Sequence, residues 1–517
     1  MRVKNSLRNI SVNIVSQIII VILGFISRKV FLNNLGTEYL GINGLFTNIL
    51  SMLGLVESGI GVSIVYNLYK PLSENDEKKV ISLVQLYKKT YAILAVIVLV
   101  LSLIIYPLAL KLMNDSESIS YITIIYFIFV IRNIISYLYA HKWSLINADQ
   151  KGYVLARINI VFNVITLLMR IIILNVTKSY ILYLIIEILI LIFQNIFNGN
   201  IVDKRYPYIK SNKKYDVDIE TKNNIVKNVK ALFLHNIGSY CVLGTDNILI
   251  SAFVSVATVG VYSNYTMIIG QLGSLVYPIL GGISASVGNL IATESHIKSY
   301  KVFKVSYLIN FWIYSFCTVF LFNLMEPFIE WWLGDGLLLN KSTFIVILVN
   351  FYIMGMRLSI MTFKTKAGLF IQDKYMPLLE AIINLGLSII LAKKFGLIGI
   401  FLGTTISTLS IVFWNAPRLV YKNVFNVSVK NYFVKYIEYI IITLIGGTFT
   451  TYICNFINNG NFLSLILKGS VCVIIYNLIL VLIFFKTEEF QYLYFIIKKE
   501  IFKINNIKKS YSCNINK

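Results

Sequence analysis

Three arginines, Arg132, Arg170 and Arg357, fall well inside apolar runs long enough to cross a membrane, and a fourth, Arg28, stands near the end of the first such run. An arginine at the centre of a bilayer costs about 2.5–3.5 kcal/mol on insertion scales, so it turns toward a cavity or a partner rather than toward lipid. A guanidinium stays charged at any relevant pH and presents paired N–H donors, which suits the oxygens of a diphosphate. Against that stands a structural ion pair with Glu57, Glu187 or Asp246. Asp246 reads as a deep, solitary acid in the seventh apolar run. Such a carboxylate either takes up Na⁺ or a proton, coupling motion to an ion gradient, or makes a helix-to-helix hydrogen bond. Glu57 and Glu187 carry the same two readings, and His235 reads as a packed histidine. There is no P-loop lysine motif, no H-E-x-x-H and no nucleophile elbow, so no catalytic residue is assigned and the chain is not expected to be an enzyme. The five cysteines show no C-x-x-C pairing and four lie in apolar stretches, which predicts no disulfide, no metal and no cofactor beyond a coupling ion.

The elements that must hold these charges follow from composition. Of 517 residues, 57% are hydrophobic and 14% charged, with a mean hydropathy of +0.74. That is too little polar surface to cover a soluble globule, so the solvent is largely lipid. A formal charge of +23 would suit nucleic acid only if the cations formed a patch, whereas here they punctuate apolar runs. Runs near the bilayer-spanning length lie at roughly 10–32, 41–66, 91–113, 119–140, 155–175, 180–199, 231–254, 258–285, 305–333, 343–363, 377–392, 397–414, 434–457 and 463–485. They predict an all-α integral membrane protein of about 14 transmembrane helices. The basic start, Arg2 to Arg8, lacks a small-residue cleavage site after it and reads as the lead into a retained first helix.

Most of the 47 Lys and Arg then fall on one side, with only Arg28, Lys29, Lys111, Lys178, Lys341, Lys393 and Lys394 on the other. Cationic loops stay in the cytosol, so both termini are expected there, in a multi-pass protein of the cytoplasmic membrane. The expected organisation is an N-terminal six-helix lobe over 1–200, a cytoplasmic linker over 201–230 with an amphipathic segment, and a C-terminal six-helix lobe over 231–420. An added helix pair over 421–485 and a basic tail over 486–517 complete it. Trp331-Trp332 reads as an interfacial aromatic belt, and the tail's lysines as a surface attracted to anionic lipid.

Sliding the chain on itself by 219 residues sets Gly41 over Gly260 and continues with Thr47/Thr266, Ile49/Ile268, Leu53/Leu272, Gly54/Gly273, Ile60/Ile279 and Ile64/Ile283. Both stretches are glycine-interrupted second helices of their lobes. Matched Gly- and Pro-broken helices point to a transport site, with Gly54, Gly59, Gly273 and Pro278 as hinges; close helix packing is the alternative use of such glycines. Because both lobes start from the cytosol, the repeat is expected to be parallel, about an axis along the membrane normal.

The segments Arg28-Lys29-Val30-Phe31, Leu35-Gly36-Thr37-Glu38-Tyr39-Leu40-Gly41 and Glu57-Ser58-Gly59-Ile60-Gly61 carry a family resemblance. So do His235, Gly238, Thr245-Asp246-Asn247, Ile250-Ser251 and Val259-Gly260-Val261-Tyr262-Ser263. Together they resemble the oligosaccharide-flippase branch, the O-antigen and capsule repeat-unit type, of the multidrug/oligosaccharidyl-lipid/polysaccharide exporter superfamily. The resemblance spans the first twelve helices. It implies two six-helix bundles in a V, rocking between inward- and outward-facing states, with a polyprenyl-diphosphate-linked oligosaccharide as cargo and pathway glycosyltransferases and polymerase as partners. On that reading Arg28, Arg132, Arg170 and Arg357 bind the diphosphate, and Asp246, Glu57 and Glu187 serve ion coupling.

Two other functions compete. An ion-coupled multidrug or small-molecule exporter of the same superfamily would want an acid-lined cavity, which Arg132 and Arg170 oppose. A membrane polysaccharide polymerase or glycosyltransferase usually carries a sizeable external loop, and here the external loops are all short.

Overall fold

In the computed structural model the chain is built from α-helices, with no strand among the described residues. These are 2–57, 60–113, 121–211, 213, 215–227, 229, 240, 244–369, 372–458, 460–495 and 498. His235, Gly59, Cys241, Cys513 and most of the basic tail lie outside them. A backbone in hydrocarbon must satisfy its own N–H and C=O groups, and Ile- and Leu-rich runs leave the helix as the only local way to do so.

The helices are α1 (Arg2–Leu53), α2 (Ile60–Ser73), α3 (Glu77–Lys111), α4 (Ile122–Ala148), α5 (Tyr153–Thr177), α6 (Tyr180–Arg205), α7 (Asp246–Phe253), α8 (Val256–Thr293) and α9 (His296–Leu333). They continue as α10 (Lys341–Met356), α11 (Leu358–Lys366), α12 (Met376–Phe395), α13 (Leu397–Ser410), α14 (Val412–Val420), α15 (Lys430–Cys454), α16 (Phe462–Val471) and α17 (Asn477–Phe484). Eleven helices among the described residues are long and apolar enough to cross a membrane, some of them joined pieces such as Lys341–Lys366 and Leu397–Phe425. A helix overlaps each apolar run of the sequence, although only α7 of the seventh run is described there. The first two runs share α1, which Gly36 interrupts with φ 82° and ψ −178°. Caps set several starts: Asp76 accepts from Lys79 N at 3.0 Å and Asn340 from Ser342 N at 3.0 Å.

The chain divides into two compact units, one of Met1–Asn264 with Ala381–Ile400 and one of Tyr265–Glu380 with Phe401–Lys517. In the first, α1 lies along α5, α3 along α4, and α6 against both α4 and α5. Ile42, Leu45, Phe46, Leu68, Leu83, Val98, Tyr126, Val130 and Leu174 form its buried core. The opposite face of α3, with Ile93, Val96, Val100, Leu103 and Ile104, is exposed, the pattern of a lipid-facing helix. The second unit packs α9 against α10, α11, α15 and α16. Its core is aromatic: Phe311 stacks on Tyr439 at 3.9 Å between ring centroids, and Tyr307 on Tyr432 at 5.2 Å. Cys454 and Cys472 lie there with sulfurs 3.7 Å apart, unbonded, and Cys317 is also a buried free thiol.

Within the first unit the repeat is physical. A Cβ on Gly41 would stand 1.9 Å from the carbonyl oxygen of Val256, and one on Gly260 would stand 2.1 Å from that of Thr37. Adding 219 to Gly41 and Thr37 gives Gly260 and Val256, so these two contacts exchange under the repeat. A second pair does the same. Arg28 Nη1 donates to Ser263 Oγ at 2.8 Å, and the space over Gly44 is filled by the Asn247 amide at 3.3 Å. The Gly36 break has its counterpart at Ser255, between α7 and α8. The crossing of α1 over α8 is therefore a local two-fold at which only glycine fits.

The linker is anchored on the first unit. Asp218 caps the helical residues 219–227 by accepting from Thr221 N at 2.9 Å, and it pairs with Lys79 at 3.3 Å. Val217, Thr221 and Ile225 form the buried side of this segment. The Thr221 hydrogen bonds, ahead of Lys79, hold the Asp218 carboxyl down at about 2.

Candidate functional site

A cavity of about 740 Å³ opens in the first unit between α1, α4, α5 and α6. Its charged lining is Glu57, Arg132, Arg170 and Glu187, which four different stretches of chain bring to one place. Thr47, Ser51, Asn133, Ser136, Asn163, Thr166 and Gln194 supply polar neighbours. The helical period explains the convergence. Glu187, Leu191 and Gln194 are three and four residues apart on α6, as are Asn163, Thr166 and Arg170 on α5 and Phe129, Arg132, Asn133 and Ser136 on α4.

The centre of the site is a three-helix clasp. Arg132 Nη1 from α4 and Arg170 Nη2 from α5 donate to the same oxygen of Glu187 on α6, at 2.8 and 2.7 Å. The other oxygen, Oε2, is buried without a hydrogen-bond partner, as is Nε of Arg170. Each guanidinium lies against an aromatic ring: Arg132 is 4.9 Å from the Phe129 centroid and Arg170 is 5.3 Å from that of Tyr183. Glu57, at the end of the turn Gly54–Glu57, accepts from the Tyr91 hydroxyl, and Tyr137 lies within electrostatic reach of it. Two guanidinium groups and two carboxylates thus line the cavity, which is formally balanced. Arg132 and Arg170 line the cavity and also share one carboxylate, Glu187, the ion-pair partner that the sequence offered beside the anion-binding reading.

Arg28 does not line the cavity. It bonds to Ser263 and lies within electrostatic reach of Tyr183 and Arg170. Arg357 is elsewhere, in the second unit, where Nη1 meets Glu380 Oε1 at 3.4 Å and Thr408 donates to the same oxygen at 3.1 Å. Among the described residues Asp246 has a hydroxyl partner rather than a charged one. It opens α7 in the first turn, where the helix N-terminus favours an anion, and accepts a hydrogen bond from Tyr262. Of the glycines and proline expected to act as hinges, Gly54 begins the 3₁₀ turn that ends α1, and Gly59 lies outside the described residues. Gly273 and Pro278 lie inside α8, which runs through them as helix, so that helix is not interrupted there.

Sequence reading passed over the tyrosines around Glu57 and the aromatic rings under the guanidinium groups, because aromatics are abundant in this chain and nothing in their spacing marks them out. It also passed over the amides. Gln194 and Asn198 both donate to Asn159 at 2.8 Å, and amide side chains within apolar runs were a signal available in the sequence.

No family model matches the chain, and no curated protein matches it. Solved structures do. The lipid II flippase MurJ in an inward closed conformation is similar over 91% of this chain and 98% of its own, with TM-score 0.65 and 15% identity. An inward-facing multidrug resistance MATE family transporter of the MOP superfamily is similar over 77% of this chain and 94% of its own, with TM-score 0.61 and 12% identity. The MATE multidrug transporter DinF-BH is similar over 82% and 96%, with TM-score 0.55 and 15% identity. The chain is a multi-pass, all-α membrane protein with the fold of these flippases and transporters.

Proposed function

We propose that the chain is a flippase that carries polyprenyl-diphosphate-linked oligosaccharide from the cytoplasmic to the outer leaflet by alternating access, for surface polysaccharide synthesis. The observation that carries this reading is the convergence of Arg132 and Arg170 on one anionic oxygen at the wall of a 740 Å³ cavity. Two guanidinium groups fixed around a single oxygen are a receptor for an anion, and diphosphate oxygens match their donors. The volume lies in the range of small-molecule sites, about 300–1,000 Å³, enough for a diphosphate and adjoining sugar while the prenyl chain stays in lipid. The surrounding Asn, Gln, Ser and Thr side chains supply hydroxyl-binding partners. The MurJ-like fold supports a lipid-linked cargo. Ion coupling is assigned to Asp246 or Glu57, with Na⁺ or H⁺ as the ion, and the termini to the cytosol.

The test is deletion with lipid analysis: polyprenyl-linked oligosaccharide should accumulate on the cytoplasmic leaflet. Arg132→Gln with Arg170→Gln, combined with Glu187→Gln so that no buried carboxylate is stranded, should reproduce the block at normal protein level, and normal export by that triple variant sinks the reading. The second reading, an ion-coupled exporter of organic cations, draws on Glu57 and Glu187 in the same cavity and on the MATE-like fold. It predicts unchanged lipid intermediates and altered drug sensitivity in the deletion strain.

A further inference from the structure

We propose that Glu187 is a resident counter-anion that holds the phosphate position until the cargo displaces it. The inference rests on the flippase reading above. Its basis is the incompleteness of the clasp. An arginine fork can take both oxygens of a carboxylate at once, whereas here one oxygen takes both guanidinium groups and Oε2 is left buried with no partner. Arg170 Nε is likewise buried with its N–H unspent. Each guanidinium has five N–H donors, so the pair has capacity that a single carboxylate oxygen leaves unused.

The rings of Phe129 and Tyr183 support the two guanidinium groups from carbons that do not belong to Glu187. Those supports hold the donors in place when the carboxylate leaves. A diphosphate presents several anionic oxygens at once and satisfies donors that Glu187 cannot. It also carries more negative charge, so the exchange favours the cargo in a site of low dielectric. Because the clasp ties α4 and α5 to α6, displacement loosens that tie at the moment the site fills, while Arg170 stays against Tyr183 of α6. Return of Glu187 then competes the diphosphate off, which gives the residue a part in release as well as in the resting state.

The experiment uses purified full-length protein in detergent, with a polyprenyl diphosphate as the probe for binding and proteoliposomes for translocation. Glu187→Gln keeps the shape and removes the competing charge. It should bind the probe on the order of tenfold more tightly, the weight of one charge-assisted hydrogen bond, while its turnover falls because release loses its competitor. Glu187→Asp keeps the charge but shortens its reach. It should also bind more tightly, by less, and decides the question if the Gln variant does not fold. Binding by both variants that equals or falls below wild type overturns the inference while leaving the flippase reading intact. Failure of the wild-type protein to bind the probe at all overturns the flippase reading itself.

Discussion

Alanine at Gly41 is the most direct test of the helix crossing. Its Cβ would lie 1.9 Å from the Val256 carbonyl oxygen and 2.8 Å from the carbonyl carbon, and both are backbone atoms that no side-chain rotation can clear. An ordinary contact is about 3.4 Å, so α1 and α8 would have to part by more than about 1 Å along a seam whose other close contacts are already made. Overpacking of this kind costs about 1–3 kcal/mol, and the high end applies because backbone must move. Gly260→Ala meets the Thr37 carbonyl at 2.1 Å and should cost about the same, since the two contacts are repeat-related. The double variant should cost less than the sum, because one separation relieves both clashes. Gly270→Ala is the control, with nothing within 4 Å of the added carbon. It should be neutral or stabilise by up to about 1 kcal/mol through helix propensity. Thermal or denaturant unfolding in detergent reads all four proteins. A Gly41→Ala protein as stable as the Gly270→Ala control would refute the crossing.

Other expectations follow from single features. Gly36→Ala adds a carbon to open space but forces φ 82° on an L-residue, so it should lose about 1–2 kcal/mol in the same unfolding assay, through strain alone. Arg357→Gln strands the buried Glu380 and should destabilise by about 3–5 kcal/mol, with Glu380→Gln added to it restoring most of the loss; export per folded molecule should be unchanged, as measured in proteoliposomes. Asp218 has a carboxyl lowered in the folded state to about 2, so its tether is fully present above the ordinary aspartate value near 4 and is lost as pH falls toward 2. Limited proteolysis of 211–227 with an acid-active protease should accelerate across that window, and Asp218→Asn should accelerate it already at neutral pH.

The helices were legible because apolar runs of bilayer length have one local solution. What the runs could not reveal was continuity. Gly36 joins two expected spans into one stretch of helix with a local break, and Gly273 and Pro278 sit within an unbroken α8, because a membrane helix tolerates Gly and Pro when neighbouring groups satisfy the carbonyl that Pro, lacking an N–H, leaves free. The site was half visible. Arg132, Arg170, Glu57 and Glu187 stood out as charges in apolar surroundings, and the cost of leaving them unpaired foretold that they would seek partners. Which would pair was not visible, since that depends on the rotation of α4, α5 and α6 about their axes, set by packing residues such as Leu174, Tyr126 and Phe129. Arg357 looked equivalent to the others in sequence, and the structure places it in the second unit against Glu380, away from the cavity of the first. The 219-residue offset, faint as a set of identities, became firm once the Gly41 and Gly260 contacts exchanged under it.

The three described cysteines, Cys317, Cys454 and Cys472, are all sealed in the interior of the second unit. With Cys241 and Cys513 replaced by serine, the native protein should be silent to a bulky maleimide, and any labelling would report transient opening of that interior. The chain thus supplies its own clock for local unfolding, and a single thiol placed on the cavity wall would be read against a dark background.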